Sequence, residues 1–368
     1  MNGKMVKGYK GFHPGLICKG KQYAENTIFK EEEATVCEKG MHFCTNPFHV
    51  LHFYSWVNSD GYFADFAEVE ALGECRTNDD KKYVTTELKI KDKIDFNNYI
   101  DTCIKFSHSE FQSAPLERLS EEQSYHFKNN EDDKGFKFIF DYTKITNTGN
   151  GVVLANGGPK SCIENNGSRV KIFNIGDDSD ISNTGAFTNI LNKSLRLSKI
   201  INTGNFPIII NCGKGKIIND GYEAIIINSN EDVVITNSGN GANIGNKGSF
   251  THILNNGISS KIANSGNLSY ITNQSSASAI GNSGNNVRIV CNGSHNIIND
   301  TGKNSIIMCA GAGNIVKAKK GSWITLCEWT NNNFNFPNVV TKCVDGDEIK
   351  EDTFYRLFDN KFIEAVKY

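Results

Sequence analysis

A nine-residue period runs through the middle of the chain and restricts its fold more than any other feature, because self-similarity at a fixed short interval decides the fold class. From Ile145 an aliphatic residue recurs at Leu154, Ile163, Ile172, Ile181 and Ile190, and then from Ile217 through Ile226 and Ile235 to Ile307. Asn follows two positions later, as in Asn147, Asn156 and Asn237, and Gly four positions later, as in Gly149, Gly158 and Gly239. The unit Ile-x-Asn-x-Gly with four freer positions fits no helical stripe, and glycines at this density would each cost a helix ~1 kcal/mol. One short strand and one turn per unit remain.

Each position then has a physical role. The aliphatic residue points inward, since a strand alternates faces and a thin core holds one large apolar group per short strand. Two positions earlier stand Val152, Val170, Val233 and Val287, or small residues such as Ser161, Ala224, Ala242 and Ser260, which suit the same narrow interior. Asn is expected to stack on its equivalents and hydrogen-bond along the ladder, and Gly to supply the positive φ of a tight corner. Between Ile190 and Ile217 the motif slips by one residue, through Ile200 and Ile209, and returns to register, as an insertion and a compensating deletion at corners would produce. Two repeats per coil and three repeats per coil both fit the period. The regular acidic residue of calcium-binding nonapeptide rolls is absent, so these turns are read as structural.

The expected class is mainly β: a parallel β-solenoid over residues 144–318, with an α+β domain before it (1–143) and a small β meander cap after it (319–368). In the first of these, Asn46-Pro47 opens a helix at about 46–57, Asp95 caps one near 95–106, and a third is expected at about 114–128 from Pro115, Leu116, Leu119 and Phe127. Strands are expected at 5–10, 39–44, 64–72, 83–91 and 136–143. In the cap they are expected at 322–329, 338–344 and 353–365, among aromatics that include Trp323, Phe334, Phe336 and Phe358, with turns at Asp345-Gly346 and Asp359-Asn360. Such a cap covers the open sheet edge of a solenoid or joins two copies as a homo-oligomer.

Charge and composition exclude some classes of function. The 368 residues carry a net charge of −2 with Lys and Arg scattered, which disfavours nucleic acid as a partner. No segment approaches the ~20 apolar residues of a membrane span, and no apolar stretch follows the first lysines, so neither membrane nor signal peptide is expected. Eleven cysteines, an odd number at no framework spacing, read as thiols in a reducing cytoplasm.

Lys7-Gly8-Tyr9-Lys10-Gly11-Phe12, Gly40-Met41-His42-Phe43-Cys44 with Asn46-Pro47, and Glu68-Val69-Glu70-Ala71-Leu72-Gly73-Glu74 resemble an uncharacterised domain family of phages and bacteria. In that family the domain often precedes glycine-rich short repeats and a tail similar to Lys320-Gly321-Ser322-Trp323, which implies a phage or mobile-element origin without an activity. The same region is similar to the strand, helix and strand that line the NAD cleft of ADP-ribosyltransferases. That resemblance implies Tyr54 stacked on nicotinamide, Tyr9, Lys10 and His42 beside the cofactor, and Glu87 or Glu70 as the carboxylate that stabilises an oxocarbenium-like transition state. The family's first-strand His or Arg is not evident, and no Ser-Thr-Ser or paired-Glu motif is present.

His42, His49 and His52 with Cys37 and Cys44 match no common zinc spacing, so no metal is expected. The leading expectation is a non-enzymatic interaction protein without cofactor, binding a protein partner through the N-terminal domain or the solenoid surface to block a defence or regulatory system. An NAD-dependent transferase and a structural phage component are the alternatives.

Overall fold

The computed structural model describes residues 5–58, 61–78, 81–113, 116–329 and 337–365. Pro115, Phe334 and Phe336 lie outside the described residues. The chain divides into two compact units, one of residues up to Asn58 with Tyr62–Glu110, the other mainly of Phe111 onward.

The first unit is built on a four-stranded antiparallel sheet. Its strands in chain order are β1 (Val6–Phe12), β2 (Ile17–Cys18), β3 (Lys21–Gln22), β4 (Ile28–Lys30) and β5 (Met41–Phe43), followed by helix α1 (Pro47–Leu51). Strands β6 (Asp65–Ala71), β7 (Cys75–Thr77), β8 (Tyr83–Thr85) and β9 (Glu87–Ile94) precede helix α2 (Phe96–Ser113). The sheet order is β1-β6-β9-β4, and β5-β8-β7 form a second small sheet. The strand expected at 83–91 is thus two strands in different sheets. Helix α1 starts where expected, with the Asn46 side chain accepting from the Phe48 N–H, but stops after five residues. Helix α2 is longer than expected. Asp95 caps it through the Asn98 N–H at 2.8 Å, and Tyr99, Ile100 and Cys103 form its buried stripe.

The second unit is the parallel β-solenoid. Ile145 pairs with Ile163 and Leu154 with Ile172, so equivalent positions lie 18 residues apart and each coil takes two repeats. Alternate repeats fall into two long parallel sheets. The ladder starts before the period does. Strands Glu117–Arg118 and His126–Asn129 pair in parallel with Gly135–Phe138 and Lys144–Asn147, with Phe127, Phe136 and Phe138 filling the interior where later coils use Ile. The helix expected at about 114–128 is therefore corrected to a single helical turn, Glu121–Tyr125, between two strands. Its apolar residues serve the coil interior, which needs period two rather than period 3.6.

Inside, the repeat isoleucines are at most 2 % exposed, and Val152, Val170, Val233 and Val287 are fully buried beside them. The slip is absorbed as expected: Asn183 meets Asn202 and Asn192 meets Asn211 at a spacing of 19, then Asn202 meets Asn219 and Asn211 meets Asn228 at 17. Most Asn side chains of the rows donate twice, to the Asn one coil on and to the carbonyl two residues ahead; Asn237 Nδ2 lies 2.7 Å from Asn255 Oδ1 and 2.8 Å from the Gly239 carbonyl. A buried amide with both protons and its oxygen partnered has its desolvation offset by the bonds it makes.

The role expected of Gly is corrected. The repeat glycines do not adopt positive φ; they are excluded from bearing a side chain by the neighbouring coil, as a Cβ on Gly239 would sit 2.0 Å from the Gly221 carbonyl oxygen. Positive φ falls two residues later, on Arg169, Phe187, Phe206, Glu223, Phe250 and Leu268 among others. These N–H groups donate to the next coil, that of Leu268 to the Asn285 carbonyl at 3.0 Å, and this ladder holds ordinary residues in a conformation that costs ~1–2 kcal/mol without glycine. Asn tolerates that conformation and already occupies the equivalent positions 286 and 304. Leu268→Asn is accordingly expected to raise the denaturant midpoint by the equivalent of about 0.5–1 kcal/mol, and an unchanged or lower midpoint would show that the exposed leucine contributes packing instead.

At the C-terminal end Asn338–Cys343 folds antiparallel onto Trp323–Glu328, and Tyr355–Phe358 pairs with Lys361–Glu364 across Asp359 and Asn360, both at positive φ. Antiparallel pairing ends the parallel stack, as expected of a cap. No helix among the described residues is long and apolar enough to cross a membrane.

Candidate functional site

The first unit encloses a cavity of about 460 Å³. Its position follows from alternation on β1: Val6, Gly8, Lys10 and Phe12 face one side of the sheet, opposite Ala71, Val69, Ala67 and Asp65 of β6. That side carries the apolar cluster of Phe12, Leu16, Tyr23, Met41, Phe43, Val69, Leu88 and Ile90. The two glycines of the first motif are required by close approach. A Cβ on Gly8 would lie 2.5 Å from the Cys44 carbonyl oxygen, and one on Gly11 would lie 2.6 Å from the Tyr54 side chain. Tyr54 can therefore pack closely on β1 at Gly11 and still border the cavity.

Four lysines, Lys10, Lys19, Lys21 and Lys82, line the cavity against one carboxylate, Glu31, which is paired with Lys21. Tyr23, Phe43, Phe53 and Tyr54 supply aromatic wall. Lys10 is almost completely buried; its Nζ donates to the His42 carbonyl at 2.9 Å and lies 5.4 and 5.6 Å from the Phe12 and Tyr23 ring centres. Burial lowers the Lys10 pKa, opposed by the nearby Cys18 thiol. Lys82 sits over the Phe53 ring at 4.6 Å. Contact with the ring faces holds both side-chain ends in place. His42 is pushed down to about 4 by burial first and then by Lys82, Lys10 and Lys19; its Nε2 accepts the Cys37 N–H at 3.0 Å. At neutral pH it is uncharged, and the cavity carries an excess of positive charge.

Cys18 enters from a β2–β3 hairpin whose two turn residues, Lys19 and Gly20, both have positive φ, as a two-residue type I′ turn demands. The preceding loop is anchored on Asp65, which accepts the Gly15 and Leu16 N–H groups at 2.8 and 3.0 Å and pairs with Lys93. The Cys18 thiol meets the Tyr54 hydroxyl at 2.7 Å. Burial raises the pKa of both Tyr54 and Tyr23, so both remain protonated phenols.

Of the residues expected from sequence, Tyr9, Lys10, His42 and Tyr54 border this one cavity. Tyr9 does so from its place on β1, while alternation turns its phenol toward Glu68 on the other face; burial and then Glu68 raise its pKa. Glu70 and Glu87 are on that other face too. Glu70 pairs with Lys7 and Lys91 at 3.9 and 3.6 Å, and Glu87 with Lys30 at 3.2 Å. Counting in twos from Val69 and Leu88, both of the apolar cluster, would have shown that neither carboxylate shares a face with Lys10. Sequence reasoning missed Cys18, Lys19, Lys21, Glu31 and Lys82, which come from loops and strand ends that periodicity does not mark. Among the described residues no group of three or more His, Cys, Asp or Glu side chains could hold a metal, and the eleven cysteines form no disulfide.

No curated protein matches the chain, and no solved structure matches it. Residues 6–102, the stretch that contains every residue lining the cavity, match the family model described as "Domain of unknown function (DUF7666)", so this part of the chain is similar to an uncharacterised domain family.

Proposed function

We propose that the first unit is a binding module for a small anionic ligand that carries a flat aromatic ring, of the nucleoside phosphate class, and that the solenoid is its rigid carrier. The observation that carries this reading is the composition of the cavity wall: four lysines against one paired glutamate, interleaved with aromatic rings. Low-dielectric walls strengthen the pull of such a cluster on an anion, and aromatic walls favour a planar group. Titration calorimetry on the full chain is expected to show ADP and NAD binding, adenosine binding at least tenfold more weakly, and Lys82→Glu or Lys19→Glu weakening ADP at least tenfold. Equal affinity for ADP and adenosine, or no binding of either, would remove the proposal.

An NAD-dependent transferase is a narrower form of the same reading, supported by the meeting of Tyr9, Lys10, His42 and Tyr54 at one cavity. There Glu31, the one carboxylate of the wall, takes the part expected of Glu70 or Glu87. Release of nicotinamide or label transfer from NAD that disappears in Glu31→Gln tests it.

A second reading keeps the chain as an interaction protein that engages a protein partner, in the setting of a phage or mobile element acting on a host. It is favoured by one solenoid face, where Val234, Tyr270, Ile306 and Trp323, 38–50 % exposed, stand in one column with His252 and Arg288 between them and Met308 beside Ile306. Partner binding that survives loss of the cavity lysines and fails on Ile306→Asp would support it; the reverse pattern would reject it.

A further inference from the structure

We propose that Cys18 is a nucleophilic thiol, with Lys10 as its proton acceptor and Tyr54 as the hydroxyl that protonates the adduct, acting on a carbonyl carbon carried by an anionic ligand. The proposal rests on the cavity being a ligand site, and not on the ligand being a nucleotide. Three side chains from separate elements converge here. Cys18 comes from the β2–β3 hairpin, Lys10 from the middle of β1, and Tyr54 from the segment after α1, held by its contact with Gly11. The thiol hydrogen-bonds to Tyr54 at 2.7 Å, and Cys18, Lys10 and Tyr54 all line the same cavity.

The arrangement is unusual for a buried thiol. Cys103, on the other face of the sheet, is a packing residue whose pKa burial alone raises well above the ordinary value. Cys18 instead has an amine and a hydroxyl at hand and open space before it. Thiolates are favoured beside ammonium groups, and a lysine that burial has made easier to deprotonate is suited to exchange a proton with a thiol.

The step balances without a further reactant. Lys10 takes the Sγ proton, and the Sγ–C bond forms as the carbonyl π pair moves onto oxygen. That oxygen takes the Tyr54 proton, and the Lys10 proton passes back to Tyr54. The net result is addition of S–H across C=O, with no leaving group and no change of oxidation state. Lys19, Lys21 and Lys82 hold the anionic part of the ligand.

Timed alkylation of the full chain at pH 7, read peptide by peptide by mass spectrometry, tests the proposal. Cys18 is expected to react with iodoacetate at least tenfold faster than Cys103, and to prefer iodoacetate over neutral iodoacetamide, whereas the part-exposed Cys343, outside the cavity, shows the reverse preference. Lys10→Met and Lys10→Arg are both expected to slow Cys18 at least tenfold, because arginine keeps the charge but accepts no proton; Lys216→Met, exposed on a strand of the solenoid, should change the rate less than threefold. Glyoxylate, a small anionic aldehyde, is expected to protect Cys18 and not Cys343. A slow Cys18, or a Lys10→Arg variant that still folds by circular dichroism and labels at the wild-type rate, overturns the assigned roles. Fast labelling without glyoxylate protection overturns the carbonyl class. Each result is independent of whether ADP binds, so failure of the nucleotide reading is scored separately.

Discussion

Replacing Asn237 by Asp is expected to destabilise the solenoid by about 4 kcal/mol at pH 7, although the two side chains have the same shape. Asn237 accepts from Asn219 Nδ2 at 2.7 Å and donates to the Gly239 carbonyl and to Asn255 Oδ1. A carboxylate keeps the accepted bond and loses both donated ones, which leaves two buried acceptors facing it. Each unmet buried polar group costs ~1–3 kcal/mol, and the unpaired charge adds its own desolvation. The loss would be read as a shift in the midpoint of chemical denaturation, with amide exchange accelerated in the neighbouring coils. A change under about 1 kcal/mol would mean that the ladder tolerates reversal of its hydrogen-bond direction, and the account of the Asn rows given above would be wrong.

The second large effect concerns the place where the ladder already carries Asp. The row Asn156, Asn174, Asn192, Asn211, Asn228, Asn246, Asn264 and Asn282 ends on Asp300, which accepts from Asn282 Nδ2 at 2.6 Å and from the Gly302 N–H at 3.1 Å. Ahead of it no amide follows: Asn299 pairs with Lys317, and the next position is Ala318. An acceptor that need not donate onward suits the last rung. Burial raises Asp300 from 3.8 to about 6, with Asn282, Ser305 and Gly302 pulling the other way.

The sign of the pH effect follows from linkage. A carboxyl whose folded pKa lies above its unfolded pKa binds protons more readily in the native state, so its contribution is fully present below about 3.8 and is lost as pH rises through about 6. At ~1.36 kcal/mol per pH unit this amounts to about 3 kcal/mol. Asp300→Asn removes the titration and can still donate to the Gly302 carbonyl as the other rungs do to theirs. The stability difference between Asp300→Asn and the wild type is therefore expected to grow in favour of the variant by about 3 kcal/mol between pH 3.5 and pH 8. Taking the difference cancels the other carboxylates. A pH-independent difference would place Asp300 in contact with water and remove the argument.

Much of the second unit could be read from the residues, because a solenoid is nearly one-dimensional: each coil contacts only its neighbours, so a local pattern is also the tertiary pattern. The inward Ile, the Asn rows and the compensated slip are all of this kind. Reading failed where the signal was not the period itself. Glycine was assigned to the corner, yet it is the next coil's carbonyl, invisible in a single repeat, that forbids its side chain. The first coil gives no repeat signal, because its apolar residues, Leu119 and Phe127, belong to no nine-residue unit and their spacing also suits a helix.

Residue order is enough to specify the stacked coils, the hydrogen-bonding rows within them and a separate nonrepetitive unit at the start. Tertiary structure alone decided how many repeats make a coil, since two-sided and three-sided stacks share one period and differ only in which Ile faces which. It also decided the cavity. Lys10, Cys18, Glu31, His42, Tyr54 and Lys82 come from different strands and loops, and what brings them together is the antiparallel register of β1, β6 and β9 with the turn at Lys19-Gly20, long-range pairings that leave no mark at fixed spacing along the chain.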